Sequence, residues 1–492
     1  MLTHLPILQV IVPLLAAPSC MIIQRPILVW LFTLTVSGLS FLISLALLQQ
    51  VMISGAISYE LGGWAPPWGI EYRVDELSAV LLLIITFVST VVLVATHASI
   101  SKEIAEGRQS LFYVLYLLFL AGILGIVSTG DVFNVFVFLE ISSLSAYALI
   151  AMGSGRRALW ASYQYLILGT IGATFILISI GLMYQMTGTL NMVDLAQRLP
   201  EVAATRTIFA AFAFFIVGVS LKLALFPLHV WMPNAYAYAP SVITAFFAAT
   251  STKVALYLLI RFTFTVFGFS YSFSTLPLQP LFLGLGLLAI FAGSATAIYQ
   301  QNIKHLFVYS SVAQIGYLVV GYSMGTPEGL TATLLHVFNH ALMKSALFLA
   351  LAAVIYQVGS AQLKDFRGLG HQMPLTMAAI VVGGLSLIGV PLTVGFISKW
   401  YLVMAAIENG WWPVAILIVL GSLLAIAYVW RLVETAYFSD PTPEANPVSE
   451  APLAFLLPLW VLAGANIYFG VDTRLSLHLA QAVSQSLFGV SP

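Results

Sequence analysis

The chain alternates long apolar runs with short polar interruptions that are rich in proline, glycine and basic residues. Each apolar run is about 20 residues long, the length that an α-helix needs to cross the hydrocarbon core of a bilayer. The pattern therefore predicts an all-α polytopic membrane protein with about 14 transmembrane helices. The predicted spans lie near residues 5–23, 27–48, 77–99, 111–130, 132–152, 160–186, 206–226, 241–266, 279–299, 304–322, 328–357, 374–395, 411–434 and 451–470.

Two of these spans contain residues that interrupt a helix. Pro227 follows the apolar run of helix 7, and Pro391 lies inside helix 12. Because proline removes a backbone N–H and clashes with the preceding turn, we predict that both helices are broken there. A lysine lies near each break, Lys222 in helix 7 and Lys399 after the break in helix 12. Paired interruptions of this kind are typical of repeated transport units, whereas two unrelated proline kinks are the alternative.

The positions of the breaks suggest four segments. Residues 1–110 hold helices 1–3 and a connecting loop, and residues 111–266 hold a first repeat of helices 4–8. Residues 279–434 hold a second repeat of helices 9–13, and residues 435–492 hold the last transmembrane helix and a C-terminal tail. Because each repeat has an odd number of helices, we predict that the two five-helix repeats are inverted relative to each other.

Basic residues outside the spans predict the orientation. Loops after odd-numbered helices contain Arg25, Lys102, Arg108, Arg156, Arg157, Lys304, Lys364, Arg367 and Arg431, and the other side contains Arg73, Arg198, Arg206, Arg261 and Arg474. The positive-inside rule then places the odd loops in the cytoplasm and both termini outside.

Composition excludes several classes of function. With 61% hydrophobic and 7% charged residues, the chain cannot present the polar surface of a soluble domain. The 18 basic residues balance the 18 acidic ones, which argues against nucleic acid as a partner. The single cysteine excludes disulfides within the chain and cysteine-ligated clusters. Without a P-loop, a dinucleotide fingerprint or a CxxC pair, we expect neither a cofactor nor a catalytic site.

Five charged residues lie inside the apolar runs. They are Glu140, Lys222, Lys253, Lys344 and Lys399. A charge at the bilayer centre costs about 2.5–3.5 kcal/mol on insertion scales. These side chains must therefore pair, bind water or carry ions, and they are the first candidates for a functional site.

Glu140 lies in the middle of helix 5. It could be a neutral structural acid bonded to Ser143 or Tyr147, but a carboxyl group that faces a lysine is the interpretation we favour. A nearby ammonium and desolvation act in opposite directions on such a group, so a change in its partner could switch its proton. Asp131 lies at the start of the same helix and is predicted to cap it.

Helix 11 carries a polar stripe. His336, His340 and Lys344 are spaced by four residues and share one face of the helix. Two histidines at this spacing can bind a metal, but no third ligand or HExxH glutamate accompanies them, so we predict no metal site. A hydrated proton path is the favoured interpretation because imidazole titrates near neutral pH, and hydrogen-bonded structural histidines are the alternative.

Several segments resemble a known family. The resemblance covers roughly residues 70–430, and it rests on the segments 222–253, 336–344 and 389–399. They are similar to the antiporter-like subunits shared by respiratory complex I, membrane-bound hydrogenases and the multi-subunit Mrp cation/proton antiporters. The segments 57–70 and 75–78 are most similar to the D-type subunits of the Mrp antiporters. Lys399 departs from the complex I relative that has glutamate there.

The resemblance implies two inverted five-helix bundles and a horizontal chain of titratable residues in the middle of the membrane. Carried over to this sequence, it implies that Glu140 and Lys222 form a pair in a first half-channel, that Lys253 links the halves, that His336, His340 and Lys344 continue the path, and that Lys399 serves a second outlet.

The expected function is that of a proton-translocating subunit in a multi-subunit Na⁺ or K⁺/proton antiporter. The expected partners are other membrane subunits, and the expected location is a bacterial cell membrane. The alternative is a proton-pumping membrane subunit of a complex I-like NADH-quinone oxidoreductase or of a membrane-bound hydrogenase. A structural or assembly subunit with an inactive channel is a third class, which the intramembrane charges disfavour.

Overall fold

The computed structural model describes residues 2–23, 25–440 and 448–489. Within these ranges the chain is almost entirely helical, with one small hairpin of two antiparallel strands, β1 (Ile57–Glu60) and β2 (Glu71–Val74). The α-helices of the described residues are α1 (Leu5–Ser19), α2 (Pro26–Ser54), α3 (Glu76–Glu103), α4 (Glu106–Ser128), α5 (Val132–Ala151), α6 (Arg156–Thr187), α7 (Met192–Val202), α8 (Arg206–Leu223), α9 (Met232–Tyr238), α10 (Ser241–Arg261), α11 (Leu278–Tyr299), α12 (Ile303–Ser323), α13 (Pro327–Val358), α14 (Leu369–Gln372), α15 (Pro374–Ile388), α16 (Val394–Glu408), α17 (Trp412–Phe438), α18 (Leu453–Val471) and α19 (Arg474–Phe488).

Most of the long helices have the dimensions of membrane spans. In the described part of the chain, 12 helices are long and apolar enough to cross a bilayer, and α1 and α15 are apolar but shorter. Every span predicted from the sequence overlaps one of these 14 helices. The fold is therefore that of a polytopic α-helical membrane protein, while the exact number of 14 crossings stays a prediction.

Both predicted interruptions are present. Helix α8 ends at Leu223, and the next residue, Ala224, has a left-handed conformation with φ of 57°. Helix α15 ends at Ile388 and is followed by Gly389 with φ of 90°, a backbone conformation that glycine adopts without steric cost. Because the second half of this broken helix, α16, continues to Glu408, the sequence-based span that ended at residue 395 was too short.

The described helices divide into inner and outer ones. The most apolar stretches of α10 and α12 are each 94% buried, whereas those of α2, α6, α11 and α17 are 39% buried. Helix α13 packs against α10, α12, α15 and α16. The helices that carry Lys253, His336, His340 and Lys344 thus form the centre of the molecule.

Helices α5 and α12 begin in the same local structure. Asp131 caps α5, as predicted, and Asn302 caps α12, each by accepting a hydrogen bond from a backbone N–H of the first turn. Each cap also forms an isolated antiparallel bridge with a residue 60 positions later, Asp131 with Asn191 and Asn302 with Gln362. The caps of α5 and α12 are 171 residues apart in the sequence. The two helices nevertheless begin with the same cap and the same bridge.

The hydrophobic pattern missed several shorter elements. These are the β1–β2 hairpin and the helices α7, α9, α14 and α19. Helices α7 and α19 are amphipathic, with polar faces, and so lack the uniform hydropathy by which spans are recognised.

Candidate functional site

Lys222 lies at the end of α8, directly before the break. Its side chain is 8% exposed, and its Nζ donates a hydrogen bond to Ser143 Oγ of α5 at 2.8 Å. Glu140 lies about one turn before Ser143 on α5 and is half-buried. No oxygen of Glu140 lies within 4.0 Å of the Lys222 ammonium in the described structure. In the described structure, a hydroxyl of the helix that carries Glu140 binds the ammonium, and the pairing of Glu140 with Lys222 stays a prediction.

A cavity of about 40 Å³ lies beside Lys222. Its polar lining comes from four helices, through Ser142 and Ser143 of α5, Tyr165 of α6, Lys222 of α8 and Ser251 of α10. One water needs roughly 10–15 Å³ of such space, so the cavity has room for about three molecules. It extends from the first candidate residues toward the helix that carries Lys253.

Lys253 lies on α10 and is 1% exposed. Its Nζ donates to the carbonyl oxygen of Ala248 in the same helix. The structure places Lys253 in the centre of the molecule but brings its ammonium into hydrogen-bond contact with no other candidate residue among those described.

The two histidines of α13 lie side by side. The rings of His336 and His340 are stacked, with centroids 5.8 Å apart and planes inclined by 7°. His336 Nδ1 lies 2.9 Å from Ser398 Oγ of α16, and Asn339 Nδ2 donates to the carbonyl oxygen of Val394 at 2.6 Å. These contacts join the polar stripe of α13 to the second half of the broken helix.

Lys344 is completely buried on the same face of α13. Its Nζ donates to the Phe307 carbonyl oxygen at 2.9 Å and to Ser310 Oγ, both on α12. Like Lys222, Lys344 therefore uses a serine hydroxyl of a facing helix as a partner.

Lys399 forms its hydrogen bonds with the end of the first half of the broken helix. Its Nζ donates to the carbonyl oxygens of Leu387 at 2.7 Å and Ile388 at 3.1 Å, which are the last two residues of α15. It also lies 4.7 Å from the ring centroid of Tyr317 on α12. The last carbonyls of a helix lack partners within the helix and carry partial negative charge, so the break provides a binding place for a cation.

Several buried polar atoms near the middle of α12 and α13 have no hydrogen-bond partner among the described residues. They are Gln314 Oε1, His336 Nε2, Asn339 Oδ1 and both ring nitrogens of His340. A buried polar group that has neither a protein partner nor a bound water lowers the stability of the fold by about 1–3 kcal/mol. Five such atoms in one place would cost as much as many domains gain on folding, so this region is suited to holding water.

The described residues contain no group of three or more His, Cys, Asp or Glu side chains placed to hold a metal ion. The acceptors that surround the candidate residues are hydroxyl and carbonyl oxygens. This arrangement is able to hold ammonium and imidazolium groups together with water.

Arg261 has a different position from the one expected. The orientation argument counts it as a loop cation, but the structure buries it at the end of α10 with 6% exposure. Its guanidinium donates two hydrogen bonds to Asp75 at 2.6 Å each and a third to Ser78 Oγ at 3.1 Å. Lys304 is also buried and donates to the carbonyl oxygen of Ala239. Because both residues are buried in the protein, they are weaker evidence for the orientation in the membrane than exposed loop residues would be.

The sequence did not identify the neutral polar residues around the candidate lysines and histidines as site residues. Ser310, Gln314, Tyr317 and Ser398 went unnoticed, and Ser143 was considered only as a partner of Glu140. The one usable signal was position, because each lies on a predicted span at helical spacing from another polar residue.

An all-α membrane fold with broken helices and a line of buried ionisable residues defines a class, the ion-translocating polytopic membrane proteins. Residues 129–425 match the family described as "NADH:quinone oxidoreductase/Mrp antiporter, TM". The chain belongs to this family, and the resemblance found in its sequence motifs is confirmed.

Curated relatives come from both branches named in that description. The N subunit of the NADH-quinone oxidoreductase of Desulforudis audaxviator (strain MP104C) is 41% identical over 498 residues, covering 96% of each chain. The D subunit of the Na(+)/H(+) antiporter of Bacillus subtilis (strain 168) is 27% identical over 473 residues, covering 95% of this chain and 94% of the relative.

Solved structures share the whole fold. A chain in the structure of the Mrp complex from Dietzia sp. DQ12-45-1b matches with a TM-score of 0.90 and 25% identity, covering 99% of this chain and 97% of its own length. A chain of the membrane-bound sulfane sulfur reductase, an archaeal respiratory membrane complex, matches with a TM-score of 0.90 and 32% identity over 98% of both chains. The chain is thus an integral membrane protein whose relatives are subunits of multi-subunit membrane complexes.

Proposed function

We propose that this chain is a proton-translocating subunit of a multi-subunit Na⁺ or K⁺/proton antiporter. The observation that carries the proposal is the set of four buried lysines and two buried histidines, of which Lys222 and Lys399 lie beside the two helix breaks. Apolar residues in these places would stabilise the protein as well or better, so a purely structural role does not account for them.

The proposed relay begins at Glu140. Its carboxylate attracts the ammonium of Lys222 across the Ser143 hydroxyl, and protonation of Glu140 removes that attraction. The change in charge then favours loss of the Lys222 proton into the water-sized cavity, which leads toward Lys253. Lys344, His340 and His336 continue the path on α13, and Lys399 forms its second outlet.

Protons are the ion that this chain is best suited to carry. Along the proposed path, the described residues provide one carboxylate, Glu140, and four lysines. Sodium and potassium bind to oxygen ligands with negative charge nearby, and a row of ammonium groups repels them. We infer that the metal cation crosses in a partner subunit and that this chain supplies the coupled proton movement without a cofactor.

Two further features belong to the proposal. The chain resides in a bacterial cell membrane with both termini outside, an orientation supported by the remaining loop arginines and lysines. Its helices 4–8 and 9–13 form two inverted repeats, a relation supported by the matching caps and bridges at the starts of α5 and α12.

Flux measurements test the proposal. The variants Glu140→Gln and Lys222→Ala are expected to abolish cation-dependent proton movement in membrane vesicles that hold the assembled complex. Glu434→Gln, a matched change at an exposed carboxylate of α17, is expected to leave the flux unchanged. Wild-type flux from both site variants, at equal abundance in the membrane, would contradict the assignment.

The relative that is 41% identical favours a second candidate, a proton-pumping membrane subunit of a complex I-like respiratory complex. Gentle extraction of the chain with its partners, followed by mass spectrometry, separates the two. Small hydrophobic partners without redox subunits support the antiporter, whereas iron–sulfur or flavin subunits support the respiratory complex. Proton movement that depends on an added electron donor would also support the respiratory complex.

A further inference from the structure

Unpaired polar atoms gather around one residue that is not part of the proposed relay, Gln314 of α12. Its Oε1 has no partner within the described structure, and the same is true of nitrogen or oxygen atoms of His336, Asn339 and His340. All four side chains are at most 2% exposed. Buried polar atoms in folded proteins are nearly always bonded to protein or to ordered water. Water is therefore expected where these atoms meet.

Contacts between α12 and α13 show which residues of α13 lie beside Gln314. The two helices are antiparallel neighbours, joined by the short connection between Ser323 and Pro327. Ser310 lies about one turn before Gln314 and accepts a hydrogen bond from Lys344. Gln314 is thus one turn away from the ammonium of Lys344.

A second contact lies on the other side of Gln314. Tyr317 follows it by about one turn, and its ring centroid is 6.0 Å from that of His336. Because His340 lies between Lys344 and His336 on α13, these two contacts place Gln314 level with His340.

The first half of the molecule offers an independent parallel. Ser143 lies 12 residues after the cap Asp131, and it binds the Lys222 ammonium. Gln314 lies 12 residues after the equivalent cap, Asn302. The two residues thus occupy the same position in helices that begin with the same bridge.

We propose that Gln314 is a positioning residue of the proton path, whose side-chain amide orients water between Lys344 and His340. The inference rests on the proposed function. One proton leaves the Lys344 ammonium for the water, and the water passes a proton to a ring nitrogen of His340. The products are a neutral amine, an unchanged water and an imidazolium. An amide both donates and accepts hydrogen bonds without titrating, so Gln314 holds the water and keeps no proton.

Two substitutions distinguish orientation of water from simple packing. Gln314→Leu fills the same space without a polar group, and we expect proton movement to fall roughly 100-fold because the water is displaced. Gln314→Ala leaves space that water can occupy, and we expect it to stay within about tenfold of the unmodified chain. If Gln314 only fills space, the order is reversed, since alanine leaves a cavity and leucine does not.

The matched control is Ser323→Ala on the same buried helix. The Ser323 hydroxyl donates to the Val320 carbonyl oxygen within α12, so its removal is expected to leave proton movement unchanged. All variants are assayed in the assembled complex in membrane vesicles, as rates per amount of complex.

Each outcome decides the question. A leucine variant slower than the alanine variant supports the proposal, and equal rates or the reverse order overturn it. Glu140→Gln is measured in parallel. If it retains full flux, the proposed function fails; if it is inactive while Gln314→Leu is fully active, only the role of Gln314 fails. A map that resolves water would add direct support by showing density between Gln314 and His340, and dry contact there would contradict it.

Discussion

Ser143 shows how one hydroxyl determines the surroundings of a buried charge. It accepts a hydrogen bond from Lys222 at 2.8 Å, while Glu140 lies about one turn earlier on the same helix. The carboxylate therefore acts on the ammonium over a longer distance than a contact pair would. The electrostatic attraction between Glu140 and Lys222 is therefore weaker than that of a contact ion pair. A weaker attraction favours the loss of the Lys222 proton that the proposed relay requires.

Removal of the Ser143 hydroxyl tests this arrangement. We expect Ser143→Ala to lower the free energy of unfolding by about 1–3 kcal/mol, because it leaves a buried ammonium without its partner. Proton movement should fall by roughly 10-fold or more, because without this hydroxyl the barrier to proton transfer at Lys222 is expected to rise by at least about 1.4 kcal/mol. The fall in Tm and the flux of the assembled complex measure the two effects.

Ser145→Ala is the control for that experiment. Ser145 is equally buried on α5, but its hydroxyl donates to the Ile141 carbonyl oxygen of its own helix. Equal losses in both variants would show that the contact with Lys222 has no special effect.

The same two serines explain what the sequence could reveal at this scale. Charged residues in apolar runs were evident because they contradict their surroundings. Ser143 and Ser145 look alike in the sequence, since a helical serine is able to bond either its own backbone or a facing helix. Only the tertiary structure, which brings the end of α8 within reach of α5, decides that Ser143 binds Lys222.

At the scale of elements, the interruption after α15 has a specific use. It leaves the carbonyl oxygens of Leu387 and Ile388 free, and both accept hydrogen bonds from Lys399 of α16. The two halves of the broken helix are thus joined by the side chain of a candidate site residue. We therefore expect a change in the charge of Lys399 to alter the hydrogen bonds that hold the two halves together.

Gly389 offers a test of that link. Gly389→Ala adds a Cβ 3.0 Å from the Lys399 Cδ, at a residue whose φ is 90°. We expect a loss of about 1–2 kcal/mol in stability from the left-handed backbone and a marked loss of proton movement from the displaced lysine. Thermal unfolding and vesicle flux check the two parts.

Gly359→Ala separates backbone strain from the effect on Lys399. Gly359 has φ of 77° at the end of α13, but an added Cβ would meet no atom within 4 Å. It should lose similar stability and keep its flux. If both glycine variants lose flux alike, strain alone explains the result.

The sequence predicted long helices well and partial helices poorly. A run of about 20 apolar residues has few alternatives to a span. The predicted span of the second broken helix ended too early, at residue 395, because α16 has only 15 residues, follows a break and is about half as long as α13. Helices α7 and α19 were missed because an amphipathic helix resembles a polar loop when only mean hydropathy is considered.

At the scale of the whole molecule, one ion pair joins the N-terminal helices to the central ones. Arg261 at the end of α10 binds Asp75, the residue that caps α3. The side chains of Arg261 and Asp75 are 7% and 16% exposed. Since α10 also carries Lys253, this pair holds the central helix at one end.

Breaking this pair should destabilise the fold. We expect Asp75→Asn to lower the free energy of unfolding by about 3–5 kcal/mol, because it leaves the buried Arg261 uncompensated. The Tm of the purified complex measures the effect. Asp472→Asn, which removes the partner of the exposed Arg474, is the control and should cause no measurable change. A Tm for Asp75→Asn equal to that of the control would contradict the structural role.

The neutral oxygen partners of the buried lysines have one more consequence. A serine hydroxyl accepts a hydrogen bond from an ammonium and donates one to a neutral amine. Lys222 and Lys344 each face such a hydroxyl, so both can discharge without releasing their partner. Only a hydroxyl hydrogen has to rotate, while the helices stay in place. The proposed relay therefore requires no movement of the backbone at these two lysines.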